Sequence, residues 1–199
     1  GTLDKFKEEH AELFRQDGEL KANFIKAEKA IARSLRDPLF QEYMSGEKQV
    51  IMTGELFGSK WKIKMDSYHP GRAIVDLKYM QSLTKFGYVP DIGYLDFVRY
   101  WGYDLQGAIY QEIVYQNTGK RLPFYIAGIS KEEAMNIEVI YIHDNYLKEA
   151  MKVIESRMPR ILQVKYHGAK PDRCEQCIWC RDTKVLTKPI GIGDLTASL

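Results

Sequence analysis

The stretch WKIKMDSYHPGRAIVDLKYM, from Trp61 to Met80, decides the fold. Along a strand, successive side chains point to opposite faces. Lys60, Lys62, Lys64 and Asp66 then share one face, and Trp61, Ile63 and Met65 share the other. His69-Pro70-Gly71 reads as a turn, after which AIVDLKYM resumes the alternation. Val75, Leu77 and Tyr79 fall on one side of this second run, Asp76 and Lys78 on the other. If the two runs pair as a hairpin, two carboxylates converge beside a lysine.

That set suits a divalent metal. Two neighbouring carboxylates repel each other, which favours a dication between them. Magnesium prefers octahedral oxygen ligation and is often held by one or two carboxylates plus water and phosphate. The ion would polarise a scissile phosphate and lower the pKa of a water. Lys78 would orient that water or steady the developing negative charge. The competing reading is a solvated strand face with one Asp–Lys pair. Against it, Asp76 and Lys78 interrupt an otherwise apolar run, where sheet burial favours apolar residues.

Outward from this segment, the period changes. Leu3, Phe6, His10, Leu13 and Phe14 recur at helical spacing, which predicts a helix over 3–15 with Thr2 as N-cap. Leu20 to Leu35 carries a second helix. Asp37-Pro38 opens a short third that ends near Gly46. QVIMTGELFG precedes the deciding segment as one more strand. Residues 81–92 read as a loop, and a long helix runs from about Leu95 to Gln116 with Gly119 as its stop. LPFYIAGIS (122–130) and IEVIYIH (137–143) are strands. Asp144 caps a last helix to about Tyr166, kinked or split at Pro159. The order is that of a mixed α/β domain around one sheet, with a helical region over 1–46, a core over 47–166 and a Cys-containing tail over 167–199.

Composition sets the bounds. The chain has 199 residues, 45% hydrophobic and 28% charged, with a formal net charge of +2. Such a balance carries no bulk signal for nucleic acid, so a DNA site must be a local patch such as the Lys60/Lys62/Lys64 face. No apolar run approaches a membrane span and no N-terminal signal is present, so a cytoplasmic location is expected. The chain starts Gly-Thr, inside helical pattern, so upstream sequence is expected to be missing.

The helix after the deciding segment contains YDLQGAIYQ, with Gln106 and Tyr110 four apart and on one face. Here the chain resembles the RecB-like branch of the PD-(D/E)xK nucleases. Its signature is an Asp, then Asp/Glu-x-Lys on the next strand, then a Gln-x-x-x-Tyr helix. The sequence supplies Asp66, Asp76-Leu77-Lys78 and Gln106-Gly-Ala-Ile-Tyr110 in that order. The resemblance is nearest to the phage-type exodeoxyribonuclease VIII (RecE-like) group, including the Cys-rich end followed by TKVLTKPI. It covers most of the chain and implies a restriction-endonuclease-like core, a central mixed sheet flanked by helices.

The resemblance implies roles residue by residue. Asp66, Asp76 and the backbone carbonyl of Leu77 would ligate Mg²⁺ or Mn²⁺. Lys78 would be the catalytic lysine, and Gln106 and Tyr110 would line the site. Glu55 is an outside candidate for a second metal or water contact, against a solvated acid. The implied activity is a metal-dependent deoxyribonuclease, an exonuclease on double-stranded ends in phage-type recombination. Its implied partner is a RecT-like single-strand annealing protein, and a homo-oligomeric ring follows by analogy. One departure stands out: many members carry a motif histidine on an N-terminal helix. His10 reads instead as helix packing, so the alternative is a weak or inactive DNA-binding module of the same fold.

Cys174-x2-Cys177-x2-Cys180 is an odd, tight cluster that does not suit a disulfide framework. Structural zinc and iron–sulfur sites take four ligands. His167 or an upstream cysteine is the candidate fourth for Zn²⁺ or a cluster, and three reduced thiols packing the tail is the competing reading. A zinc-stabilised interaction domain is accordingly a third class. Tyr100, Trp101 and Tyr103 read as core or groove wall rather than base-stacking rings. Lys85, Arg99, Lys120 and Arg121 read equally as phosphate contacts or surface charge.

Overall fold

The central sheet has four strands in the order β3-β4-β7-β8, built from Ser67–His69, Ala73–Met80, Phe124–Ser130 and Ile137–Ile142. The β4–β7 pair is parallel and the other two pairs are antiparallel, so the sheet is mixed. A computed structural model describes residues 2–90, 92–175 and 177–195. The chain divides into two units, Gly1–Ser156 and Arg157–Leu199.

The first unit contains the sheet. It starts with α1 (Thr2–Glu9), α2 (Ala22–Leu35) and α3 (Pro38–Tyr43). Asp37 caps α3, its Oδ1 accepting from the Phe40 N–H at 2.9 Å. Then come the hairpin β1–β2 (Val50–Leu56 and Ser59–Met65), β3 and β4, the small hairpin β5–β6 (Gly87–Val89 and Gly93–Leu95), α4 (Phe97–Tyr100) and α5 (Tyr103–Thr118). After β7 and β8, α6 runs from Asp144 to Tyr166.

Both faces of the sheet are covered, which is why β7 is apolar nearly throughout. On one face Ala73, Val75, Ala127 and Ile129 meet Ala30 of α2 and Phe40 of α3. On the other, Phe124 lies against α5 so closely that a Cβ on Gly107 would come within 2.6 Å of its ring. Ile113, Val114, Phe124 and Ile126 are fully buried there.

Several sequence expectations change. The deciding segment is not one long hairpin. Only Ser67–His69 pairs with Ala73–Val75, while β2 pairs with β1 in a separate ladder. The switch occurs at Asp66, whose Oδ2 accepts from the Leu77 N–H at 2.9 Å in place of a strand neighbour. The lysine alternation on β2 is as read, with Ile63 and Met65 buried and Lys60, Lys62 and Lys64 exposed. On the face that Leu77 shares with Val75 and Tyr79, Leu77 is 40% exposed, beside a groove bordered by α2 and α3.

The expected loop over 81–92 contains β5, which pairs with β6 across the Tyr88–Tyr94 couple. Three-residue strands fall below what periodicity can register. The expected helix from Leu95 is two helices, because Gly102 adopts a left-handed φ of 68° between them. Pro159 does not split α6: one missing N–H is outweighed by the turns on either side. Asp144 is the first residue of that helix rather than a residue preceding it.

Candidate active site

β4 and α5 together carry the candidate centre. Asp76 follows three buried residues of β4 and is itself 3% exposed. Lys78, two residues on, shares its face. Gln106 on the first turns of α5 spans both: its Nε2 donates to Asp76 Oδ1 at 2.6 Å, and its Oε1 accepts from Lys78 Nζ at 2.9 Å. Lys78 Nζ also lies 2.6 Å from Asp76 Oδ2 and 4.4 Å from the centre of the Tyr103 ring.

Asp66 arrives from the end of β2. Its carboxylate accepts from Gln49 Nε2 and from the Leu77 N–H, both at 2.9 Å. In an extended strand a residue's N–H and C=O lie on the same edge. The Leu77 carbonyl is therefore on the edge beside Asp66, beyond the last β3 pair. Tyr110, one turn after Gln106, donates its hydroxyl to the Lys64 carbonyl at 3.0 Å and ties α5 to the strand that delivers Asp66.

Electrostatically the centre is under tension. Burial pushes the Asp76 carboxyl above the usual carboxylate range, and Asp66 adds to it, while Lys78 and Gln106 pull the other way. Asp76 Oδ2 is buried, and the Lys78 ammonium at 2.6 Å is the charge that faces it. A buried carboxylate oxygen of this kind, with a second carboxylate near and a strand carbonyl on the adjoining edge, fits a hard divalent cation. The structure thus gathers Asp66, Asp76, Leu77, Lys78, Gln106 and Tyr110.

Glu55 is placed elsewhere. It pairs with Lys60 near the tip of the β1–β2 hairpin, five ladder positions from Val50 and Met65, or about 17 Å along the strand. Its backbone is held by Gln116, far down α5. His10 lies against Phe6 with ring centres 4.5 Å apart and the rings tilted by 48°, as a packing residue does. Arg99 pairs with Asp96, and Arg121 with Glu112. Gln49 and Tyr103 escaped the sequence reading as parts of the centre. Gln49 sits at a positive φ of 55°, which no neighbouring residue signals.

Residues 1–183 match a family described as a PDDEXK-like domain of unknown function (DUF3799). The chain belongs to this family. The PDDEXK-like assignment agrees with the central mixed sheet flanked by helices. A crystal structure of a protein from Eubacterium rectale named "Putative exonuclease" is 63% identical, with a TM-score of 0.88. That similarity covers 100% of this chain and 75% of the other. No curated protein matches.

The second unit holds the cysteines. The sulphurs of Cys174, Cys177 and Cys180 all lie within 4.8 Å of one another, at the start of α7 (Ile178–Asp182). Cys180 is buried and the other two are exposed. Among the described residues His167 does not join them within that distance. No helix among the described residues is long and apolar enough to cross a membrane.

Proposed function

We propose that this PDDEXK-like domain is a metal-dependent deoxyribonuclease, an exonuclease acting on the ends of double-stranded DNA. The single observation that carries the reading is the Asp76–Gln106–Lys78 cluster beside Asp66. A buried acid held against a half-buried lysine is costly to keep in a fold without a task. Asp66, Asp76 and the Leu77 carbonyl would hold Mg²⁺ or Mn²⁺. When bound, the ion supplies Lewis-acid polarisation of a phosphoryl oxygen and a more acidic water.

The chain's own residues do the rest. Gln106 holds Asp76 and Lys78 together through one hydrogen bond to each. The Lys78 ammonium, steadied by the Tyr103 ring, offers positive charge where negative charge develops on the phosphate. Tyr110 holds the backbone of Lys64, and so the strand that presents Asp66. The exposed Lys60, Lys62 and Lys64 face leads from the hairpin tip to Asp66 and gives the DNA backbone a track of positive charge.

Action on DNA implies a cytoplasmic enzyme. The phage-type recombination role, a single-strand annealing partner and a homo-oligomer belong to the same reading and rest on family resemblance. A bound zinc or iron–sulfur cluster at Cys174, Cys177 and Cys180 is a separate proposal, supported by the proximity of the three sulphurs. The second reading, a DNA-binding module without turnover, is favoured by the place of His10, which packs on Phe6.

The test incubates linear duplex DNA with the protein and Mg²⁺, Mn²⁺ or EDTA, beside Asp76→Ala and Lys78→Ala. Metal-dependent degradation that both substitutions abolish is the expected result. Degradation in EDTA, or full activity in both variants, sinks the nuclease reading. Binding without cleavage selects the second reading.

A further inference from the structure

The helix α5 orders three features along its length. Tyr103 begins it, Gln106 stands at the centre, and Tyr110 and Gln116 hold the β1–β2 hairpin. At 1.5 Å rise per residue, the centre lies between that hairpin and whatever adjoins Tyr103. What adjoins Tyr103 is a cavity of about 460 Å³. Its wall and the centre share one side chain, since Lys78 Nζ stands 4.4 Å from the Tyr103 ring centre.

The cavity is aromatic and basic. Phe86, Trp101 and Tyr100 are 65%, 62% and 42% exposed. Tyr100 meets Trp101 edge to face at 5.3 Å, and its ring occupies the space where a Cβ on Gly87 would be. Hence β5 and α4 make one continuous wall. Lys85 and Lys131 are the charged side chains of the lining, and no acid joins them among the described residues. Exposed rings bordered by lysines without acids match the chemistry of a nucleic-acid strand: every base offers a π-face to a ring, and every phosphate offers charge to a lysine. The volume suits a group of small-molecule size rather than a duplex.

We infer that this cavity takes an unstacked nucleobase of the strand whose phosphate lies at Asp66, Asp76 and Lys78. The inference rests on the nuclease reading of that centre and narrows its substrate. DNA enters the Tyr103 side as a single strand, and a frayed or mismatched end, which unstacks most cheaply, is the preferred one.

The experiment uses the full chain in EDTA, where no metal-dependent cleavage competes with binding. Fluorescence anisotropy follows a labelled short oligodeoxythymidylate and an equally long strand of abasic tetrahydrofuran nucleotides. The variants are Trp101→Ala and Phe86→Ala, both at exposed positions, with melting curves to establish that each is folded. Each variant is expected to bind the base-bearing strand about ten-fold more weakly and the abasic strand as the parent does. Equal losses on both strands, or no loss on either, overturn the inference. So does unchanged DNA binding with an altered sedimentation coefficient, which assigns the rings to a second copy of the chain. Failure of the nuclease reading shows separately, as a parent that does not cut duplex DNA with Mg²⁺ or Mn²⁺. That result removes the phosphate from the centre and the inference with it, whereas a cutting parent with unaffected Trp101→Ala binding removes the inference alone.

Discussion

Gln106→Leu is the most informative single change. Leucine is close to glutamine in size but can make neither of the two bonds that Gln106 makes, to Asp76 at 2.6 Å and from Lys78 at 2.9 Å. Each has an ionised partner, and such bonds contribute about 1.5–3 kcal/mol apiece. The two share one amide, so their losses do not add in full, and about 3 kcal/mol is the expected total. For a chain of this length that is a fall in Tm of roughly 6–12 °C. Activity should fall further, because Lys78 and Asp76 lose the group that sets their mutual position, and small misplacements cost about 100-fold in kcat. The assay pairs calorimetric melting in EDTA with initial rates of duplex degradation. Gln106→Glu is the companion: its carboxylate still accepts from Lys78 but repels Asp76, so the acid limb of the pH–rate profile should move upward. A Gln106→Leu protein that melts within about 2 °C of the parent and cuts DNA at the parental rate would refute the bridge.

Other outcomes follow from the same geometry. Mn²⁺ at about 100 times its dissociation constant should stabilise the parent by about 2.7 kcal/mol, and Asp76→Asn should lose most of that gain in a thermal-shift titration. Burial raises the Asp76 pKa, so the folded protein keeps a proton that the unfolded chain has already released. Metal-free stability is therefore expected to fall as pH rises from the ordinary carboxylate pKa through the raised one. Melting in EDTA across that window should show this slope in the parent and its absence in Asp76→Asn. Gly107→Ala should lower stability by about 1–2 kcal/mol despite alanine's better helix propensity. The added Cβ would meet the ring of Phe124, which is fully buried and cannot retreat, at 2.6 Å. A rise in denaturation midpoint for this variant would contradict the close packing of α5 on β7.

How much was legible in the sequence can be traced through these residues. Alternation marked β2 and β4, helical spacing put Gln106 and Tyr110 on one face, and the apolar surroundings of Asp76 and Lys78 marked them as unusual. These are local, periodic signals, and local backbone geometry is enough to generate them. What periodicity could not carry was pairing. It read β2 against β4, whereas β2 pairs with β1 and the chain changes sheets at Asp66. Partner choice depends on which residues satisfy a backbone N–H at a distance in the chain, and the Leu77 N–H is satisfied by a side chain.

The sequence by itself determined the mixed α/β class, the strand that carries Asp76 and Lys78, and the helix that carries Gln106 and Tyr110. Only the tertiary structure decided that Gln106 bridges acid and lysine, that Tyr103 lies under the ammonium, that Gln49 holds Asp66, and that Glu55 stands apart. The physical reason is separation along the chain. Gln106 is 30 residues from Asp76 and 28 from Lys78, and nothing but the packing of α5 on the sheet brings them within reach of one hydrogen bond.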